Sequence, residues 1–226
     1  MPYYSDPAFL LLIPAILLTL FAQWRVHSAF KKGAKIKNSR GITGADVAKK
    51  ILEAGGLSSI PIHKGKGKLS DHYDPIKKSV SLSPEVYSGS SISSLAVAAH
   101  EIGHALQHRD SYHFLALRTG LYPVVRFSSW LAPFLIIAGF IFSSLNILYA
   151  GIIFFAASVV FTLITLPVEF NASSRAMVQI QELGLAQADE SRQVKKVLNA
   201  AALTYVAAAI AAVLELLRLV LIARND

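Results

Sequence analysis

The chain has 226 residues, of which 54% are hydrophobic and only 16% are charged. A soluble domain usually carries about 25% charged residues, so the shortfall indicates that lipid forms part of the protein's surroundings. The absence of cysteine excludes disulfides and thiolate metal ligands, so that any zinc ion must be held by histidine and carboxylate side chains.

The first element is an uncharged, apolar run from Pro7 to Trp24, which is just long enough to cross a bilayer as a helix. No basic residue precedes this run and several follow it, which is the reverse of the order in a cleaved signal peptide. We therefore predict an uncleaved transmembrane anchor over residues 1–25, with a signal peptide as the alternative.

Residues 26–126 form a polar segment with mixed helix and strand signals. Thr43 and Asp46 have the spacing of a capping box at the start of an amphipathic helix. The elements expected in this segment are a helix after Thr43, a strand at 60–62, a hairpin over 69–82 and a helical turn from Ser83. This order predicts a small α+β portion.

His100, Glu101 and His104 belong to the sequence His-Glu-Ile-Gly-His, which lies in a stretch rich in alanine and leucine that favours a helix. Residues four apart share one helical face, about 6 Å apart along the axis, so the two imidazoles can bind one metal ion. The glutamate between them can act on a metal-bound water, an arrangement typical of zinc hydrolases. We predict His100 and His104 as zinc ligands and Glu101 as the catalytic residue, the alternative being two unrelated histidines on a surface helix.

Residues 127–168 contain no charged side chain, and their number suits two membrane-spanning helices. We predict a transmembrane hairpin there, with its turn near residues 143–146. Residues 197–226 are predicted as a C-terminal transmembrane helix, with a surface-lying or buried helix as the alternative. Glu215 and Arg218 lie on one face of this helix and could pair; a charge within a span is costly unless it is paired or faces protein.

A catalytic zinc ion usually has three protein ligands, and three residues compete for the third position. His108 is excluded because it lies about 12 Å along the helix from His100. His113 follows at a spacing that differs from that of the third histidine in metzincins. Glu169 is the first charged residue after the hairpin, and two spans return the chain to the face that it left. We prefer Glu169, with a solvent-facing carboxylate as the alternative.

The basic residues determine the predicted orientation. They follow the first span and flank the hairpin, whereas the N-terminus and the hairpin turn carry none. By the positive-inside rule, residues 26–126 and residues 169–196 face the cytoplasm. We predict that the second of these segments is a helix beginning after Pro167. The cluster of basic residues at 25–40 is explained by membrane topology and by attraction to anionic lipid. The sequence contains no nucleic-acid-binding fingerprint, so we expect no nucleic acid partner.

Several motifs together resemble those of the YugP-type neutral zinc metallopeptidases of bacterial membranes. These are His-Glu-Ile-Gly-His before an uncharged hairpin, Leu-Pro-Val-Glu-Phe-Asn-Ala-Ser-Ser-Arg-Ala from Leu166, Asp-His-Tyr-Asp-Pro from Asp71, and Leu-Asn-Ala-Ala-Ala-Leu-Thr-Tyr from Leu198. The resemblance covers nearly the whole chain and implies a bacterial cytoplasmic membrane protein.

A more distant likeness to membrane gluzincins implies His100, His104 and Glu169 as ligands and Glu101 as the base. Those enzymes often carry an aspartate four residues after the glutamate ligand. Ser173 occupies that position here, with Asn171 as the nearest polar substitute.

The combined prediction is a multi-pass, mainly α-helical membrane protein with a small zincin-like α+β portion in the cytoplasm. It would hydrolyse peptide bonds in membrane-associated protein substrates, using one zinc ion. Arg175, Tyr205 and His113 are candidates for stabilising the oxyanion, and the strand at 79–82 could receive an extended substrate by edge pairing. The alternatives are a non-proteolytic zinc-binding scaffold or assembly factor, and a small transporter with a regulatory metal site. The oligomeric state is not predicted.

Overall fold

The computed structural model describes residues 10–225, which fold mainly as α-helices with one small sheet. In chain order the elements are α1 (Leu12–Ala34), α2 (Gly44–Ala54), β1 (Ile62–Lys64), β2 (His72–Asp74), β3 (Ser79–Leu82), α3 (Pro84–Ser88), α4 (Ile92–Arg109), α5 (His113–Ile141), α6 (Leu145–Glu182) and α7 (Ala188–Asn225). The mainly helical architecture with a small sheet is as predicted.

Local sequence explains where α2 begins and ends. The Thr43 hydroxyl accepts a hydrogen bond from the Asp46 backbone N–H at 3.2 Å, and the Asp46 carboxylate accepts one from the Thr43 backbone N–H at 2.8 Å. This is the predicted capping box, and it satisfies backbone donors that have no partner within the helix. At the other end, Gly55 caps the helix and Gly56 has a φ of +68°, a conformation that favours glycine.

The sheet has the strand order β1-β3-β2. β2 and β3 form the predicted antiparallel hairpin, with Tyr73 opposite Val80, and the Asp74 carboxylate accepts hydrogen bonds from two backbone N–H groups of the turn. β1 pairs with β3 in parallel, with Ile62 opposite Val80. Both sides of β3 are therefore occupied, and the suggestion that this strand receives a substrate by edge pairing is wrong.

The chain divides into two compact units. The first, which we call the site unit, comprises residues 24–116 and 167–203. The second, the apolar unit, comprises residues 10–23, 117–166 and 204–225 of the described chain.

The core of the site unit surrounds α4. Leu95 and Ile102, seven residues apart on α4, are fully buried in one apolar cluster with Ile51 of α2 and Ile180 of α6. Burying a side chain of this size contributes about 1.5–3 kcal/mol of stabilisation. Because most residues of α4 are buried, packing fixes the directions of their side chains.

The apolar unit has the character expected of a membrane protein. Three of the described helices, α5, α6 and α7, are long and apolar enough to cross a membrane. Large apolar side chains such as Ile141 and Ile153 are about 70% exposed in this unit, which is unusual for a surface in contact with water. α5 and α6 are joined by a short turn at 142–144, where the hairpin turn is predicted.

Two further predictions concern the apolar unit. Arg218 donates two hydrogen bonds to the Glu215 carboxylate, at 2.8 and 2.6 Å, so the two charges form the pair that their spacing allows. The predicted anchor over residues 1–25 begins in residues 1–9, which lie outside the described residues. α1 is not among the three helices that meet the criteria for a span, and the anchor stays a prediction.

Candidate metal centre

Helix α4 carries two of the predicted ligands on one face. It begins after Ser91, whose hydroxyl accepts a hydrogen bond from the backbone N–H of Ser94 at 3.1 Å and so caps the helix. His100 and His104 lie one turn apart, with ring centroids 4.9 Å apart and ring planes at 83°. The helix therefore brings the two imidazoles together, as their spacing predicts.

Glu169 on α6 lies against both histidines. Its Oε2 atom is 3.2 Å from Nε2 of His100 and 3.6 Å from Nε2 of His104. Glu169 is only 2% exposed, and one ligand atom from each of the three residues lies within 4.8 Å of the others. The structure thus brings together, within the site unit, three residues that the sequence analysis selected from distant positions.

This donor set fits a zinc ion. Bonds from zinc to histidine nitrogen and carboxylate oxygen are about 2.0–2.2 Å, so two ligand atoms of a tetrahedral site are about 3.3–3.6 Å apart. The two nitrogen–oxygen separations of 3.2 and 3.6 Å are close to this range. Two imidazoles and one carboxylate are also the ligands of catalytic zinc sites that keep a fourth position open. The cluster could hold one zinc ion in this way.

The other ring nitrogen of each histidine contacts a side-chain oxygen. Nδ1 of His100 is 3.1 Å from the Ser173 hydroxyl, and Nδ1 of His104 is 3.0 Å from Oε1 of Gln107. The Gln107 amide oxygen can only accept, which favours the His104 tautomer with the proton on Nδ1 and leaves its Nε2 lone pair for a metal. The Ser173 hydroxyl is able to accept from Nδ1 of His100 in the same way. Ser173 therefore contacts one of the two predicted histidine ligands directly.

Gln107 is the residue at the site that the sequence analysis missed. It is fully buried, and its Nε2 donates hydrogen bonds to the Val168 carbonyl at 2.7 Å and to Oδ1 of Asn171 at 3.0 Å. Asn171 thus supports Gln107, which in turn contacts His104. In the sequence, this contact could have been inferred from the position of Gln107, which lies three residues after His104 and on the same helical face.

Replacing Gln107 by leucine is expected to weaken zinc binding by about 10- to 100-fold, because His104 loses the oxygen that orients its ring. It should also destabilise the fold by about 1–3 kcal/mol, since the Val168 carbonyl and the Asn171 amide lose a buried partner. Competition with a fluorescent zinc chelator measures the affinity. Gln187→Leu, at an exposed position before α7, is the matched control and should leave it unchanged. Equal zinc affinity in both variants would contradict the role of Gln107.

α6 continues through Pro167, and the prediction that a separate helix begins after this proline is wrong. The helix runs from Leu145 to Glu182 with Pro167 inside it, and α7 begins only at Ala188. The Pro167 carbonyl accepts a hydrogen bond from the Tyr112 hydroxyl at 3.4 Å, and the next carbonyl accepts the bond from Gln107 described above. These contacts hold this part of α6 against α4 and the residues just before α5, and the helix continues through the proline where a local sequence rule predicts a break.

Gly103 lets α4 and α6 approach closely enough to form the cluster. A Cβ atom built at Gly103 would lie 2.4 Å from the Ala172 backbone oxygen, a distance that real contacts do not adopt. Gly103→Ala should therefore force the helices apart, lowering stability by about 1–3 kcal/mol and weakening zinc binding. Thermal unfolding in detergent, followed by circular dichroism, measures the first effect. Gly120→Ala on α5 is the control, because nothing lies within 4 Å of its Cβ position. If the melting temperature fell equally in the two variants, the close approach at Gly103 would not be the cause.

Glu101 is buried beside the first histidine of the cluster, with 8% of its surface exposed. Burial raises the pKa of its carboxyl to about 7, while the neighbouring His100 lowers it and Glu169 raises it. A carboxyl group that titrates near neutral pH is suited to both accepting and returning a proton.

His108 and Arg175 make contacts outside the ligand cluster. Nδ1 of His108 lies 2.8 Å from the Tyr73 hydroxyl, so this histidine links α4 to the sheet. The Arg175 guanidinium donates to Oδ1 of Asn171 at 2.8 Å and also pairs with Asp110. Hydrogen bonds from Arg109 and Arg175 hold the pKa of the Asp110 carboxyl at about 2. Arg175 therefore belongs to the network that supports Gln107.

The other two oxyanion candidates lie elsewhere. His113 is the first residue of α5, and its ring contacts the edge of Phe114 at a centroid distance of 6.0 Å. Tyr205 belongs to the apolar unit. Neither residue belongs to the described cluster of metal-binding side chains.

The chain is similar to known proteins along nearly its whole length. The model of the family described as "Putative neutral zinc metallopeptidase" matches residues 8–224, and the chain belongs to this family. Among curated proteins, "Putative membrane protease YugP" of Bacillus subtilis (strain 168) is 51% identical over 215 residues, which cover 95% of this chain and 96% of that protein. No solved structure matches the chain. The predicted family is confirmed, and the relative's name together with the three apolar helices indicates a membrane protein.

Proposed function

We propose that this protein is a membrane-embedded zinc metallopeptidase that hydrolyses peptide bonds. The observation that carries the proposal is the cluster of His100, His104 and Glu169, which is shielded from solvent and has the donor types and spacings of a catalytic zinc site. Glu101, buried next to it, supplies the acid–base group that such a reaction needs. Membership of a zinc peptidase family supports the same conclusion.

In the proposed mechanism the Nε2 atoms of His100 and His104 and the Glu169 carboxylate would hold one zinc ion. When bound, zinc polarises the scissile carbonyl and lowers the pKa of water. Glu101 accepts a proton from the attacking water and later delivers it to the nitrogen of the leaving amine. Ser173 and Gln107 keep the imidazoles oriented during both steps.

We further propose that the site faces the cytoplasm of a bacterial cytoplasmic membrane. The support is the distribution of lysine and arginine: 20 of the 22 lie in residues 25–126 and 169–196, and none lies in residues 127–168. Substrates would then be membrane proteins or peptides close to the cytoplasmic surface of the bilayer.

Metal content measured beside proteolysis tests the proposal. The purified full chain should contain zinc and cleave casein, and removing the zinc with a chelator should stop cleavage until zinc is added back. Zinc without cleavage of casein or of a broad peptide library would instead favour a non-proteolytic scaffold or assembly factor. A chain that binds no zinc would contradict both functions.

A further inference from the structure

A basic cleft lies between α1 and α7 in the site unit, and no residue of the proposed zinc site lines it. It has a volume of about 200 Å³. Its polar and aromatic lining residues are Trp24, Arg25, Ser28, Lys32, Gln193 and Lys196.

The cleft is lined by one face of α1 and one face of α7. On α1, Arg25 and Lys32 are seven residues apart and therefore lie on the same face, two turns from each other. Gly33 lies in the floor, where an added Cβ would meet the Ser93 hydroxyl at 2.4 Å and a Val197 methyl at 3.2 Å. The close approach at this glycine brings Lys196 of α7 to the same cleft as the two cations of α1.

The positive charge of the cleft has no counterpart among the described acidic groups. Arg25, Lys32 and Lys196 are exposed at its rim, and none of them takes part in an ion pair between described residues. The two carboxylates at the start of α7 are engaged elsewhere, Asp189 with Arg192 and Glu190 with Ser39. The cleft therefore suits an anion.

At the cleft, both α1 and α7 change from an uncharged, apolar sequence to a charged one. Arg25 is the first charged residue after the uncharged run that ends at Trp24, and Lys196 is the last before the uncharged residues 197–214. Trp24 is 65% exposed, and tryptophan is enriched where membrane helices reach the headgroup region. The chemistry of the cleft thus belongs at the level of lipid phosphates.

We propose that this cleft binds the phosphate group of an anionic glycerophospholipid. The three cations attract the phosphate, and Ser28 and Gln193, which also line the cleft, supply a hydroxyl and an amide as hydrogen-bond donors for its oxygens. A zwitterionic lipid would bring an additional positive group to a cleft that already carries three, so the cleft selects anionic headgroups.

Quenching of Trp24 fluorescence by brominated lipids tests this proposal. The protein contains two tryptophans, so a Trp130→Phe full chain leaves Trp24 as the reporter. It is reconstituted into phosphatidylcholine vesicles in which a minor fraction of the lipid is brominated phosphatidylglycerol or brominated phosphatidylcholine. We expect quenching to show severalfold preferential association of the anionic lipid with Trp24. Equal quenching by the two lipids would overturn the proposal.

Two triple variants separate the cleft from the general positive charge. In the Trp130→Phe chain, Arg25→Gln with Lys32→Gln and Lys196→Gln should bring the preference down to about one. Lys31→Gln with Lys35→Gln and Lys37→Gln removes the same charge from exposed positions of the same region outside the cleft, and should keep the preference. A similar loss in both would show a diffuse electrostatic attraction and refute a discrete site.

Two further controls address misfolding of the triple variant and binding of soluble phosphate. If the first triple variant loses helical signal in circular dichroism, Lys196→Gln alone, compared with Lys31→Gln, carries the same test. Inorganic phosphate added to the vesicles should leave the preference in place relative to chloride of matched ionic strength. If phosphate abolished it and chloride did not, the cleft would be a site for soluble phosphate, and the lipid proposal would be wrong.

Discussion

Replacing Glu101 by glutamine is expected to lower peptide cleavage by at least about 100-fold while the zinc content of the protein stays unchanged. Positioned acid–base groups typically contribute about 10²- to 10⁴-fold to a rate, and the glutamine amide can neither accept the proton of the attacking water nor return it to the leaving amine. Because the two side chains have nearly the same shape, the packing around this buried position on α4 should be preserved. Initial rates on a fluorogenic casein, measured beside zinc content, provide the test.

The matched control for this variant is Glu85→Gln, at an exposed position on α3. It removes one carboxylate from the same polar part of the chain and should cleave casein at the rate of the unaltered protein. If Glu101→Gln cleaved at that rate as well, Glu101 would not be the general base. If it lost zinc, the variant would report on metal binding, and its rate would not bear on proton transfer.

Replacing Glu169 by glutamine is expected to remove the zinc, with a loss of affinity beyond the 10- to 100-fold that is typical for residues contacting a ligand rather than the metal. The substitution keeps the shape of the side chain but removes the only anionic donor of the cluster, so that two neutral imidazoles remain to balance a divalent cation. Cleavage should disappear with the metal. Zinc content after gel filtration and titration against a chelator of known affinity both measure the effect.

Glu182→Gln is the control for this second variant, since Glu182 is an exposed carboxylate on the same helix that accepts a hydrogen bond from Gln179. It should bind zinc like the unaltered chain. A Glu169→Gln protein that kept zinc at full affinity would show that another residue is the third ligand. Among the sequence candidates His113 would then be the first to test.

Features of the fold that depend on neighbouring residues were predictable from sequence. The capping box of Thr43 and Asp46 and the β2–β3 hairpin each depend on residues only a few positions apart, where turn and cap chemistry restrict the backbone strongly. The same holds for His100 and His104, because helix geometry alone places residues four apart on one face.

Glu169 is a different case, because it lies 69 residues from His100. It could be chosen from sequence because the apolar segment between them has an even number of expected spans, and a hairpin returns the chain to the side from which it started. The predicted membrane topology therefore favoured Glu169 over the other candidates for the third ligand, without any information on side-chain packing.

Features that depend on contacts between distant segments were not predictable. Gln107 has no local signature that marks it as a support for His104, since its importance comes from the Val168 and Asn171 atoms of another helix. Likewise, the parallel pairing of β1 with β3 joins strands separated by β2, and α6 passes through Pro167 despite its local preference. In each case tertiary contacts outweigh the local rule.

Anomalous diffraction at the zinc absorption edge, measured from crystals of the full chain, shows whether His100, His104 and Glu169 together bind one zinc ion. We expect a single anomalous peak about 2 Å from Nε2 of each histidine and from a carboxylate oxygen of Glu169. Zinc-replete crystals with no anomalous peak at these three side chains, or with the ion bound by other residues, would contradict this expectation.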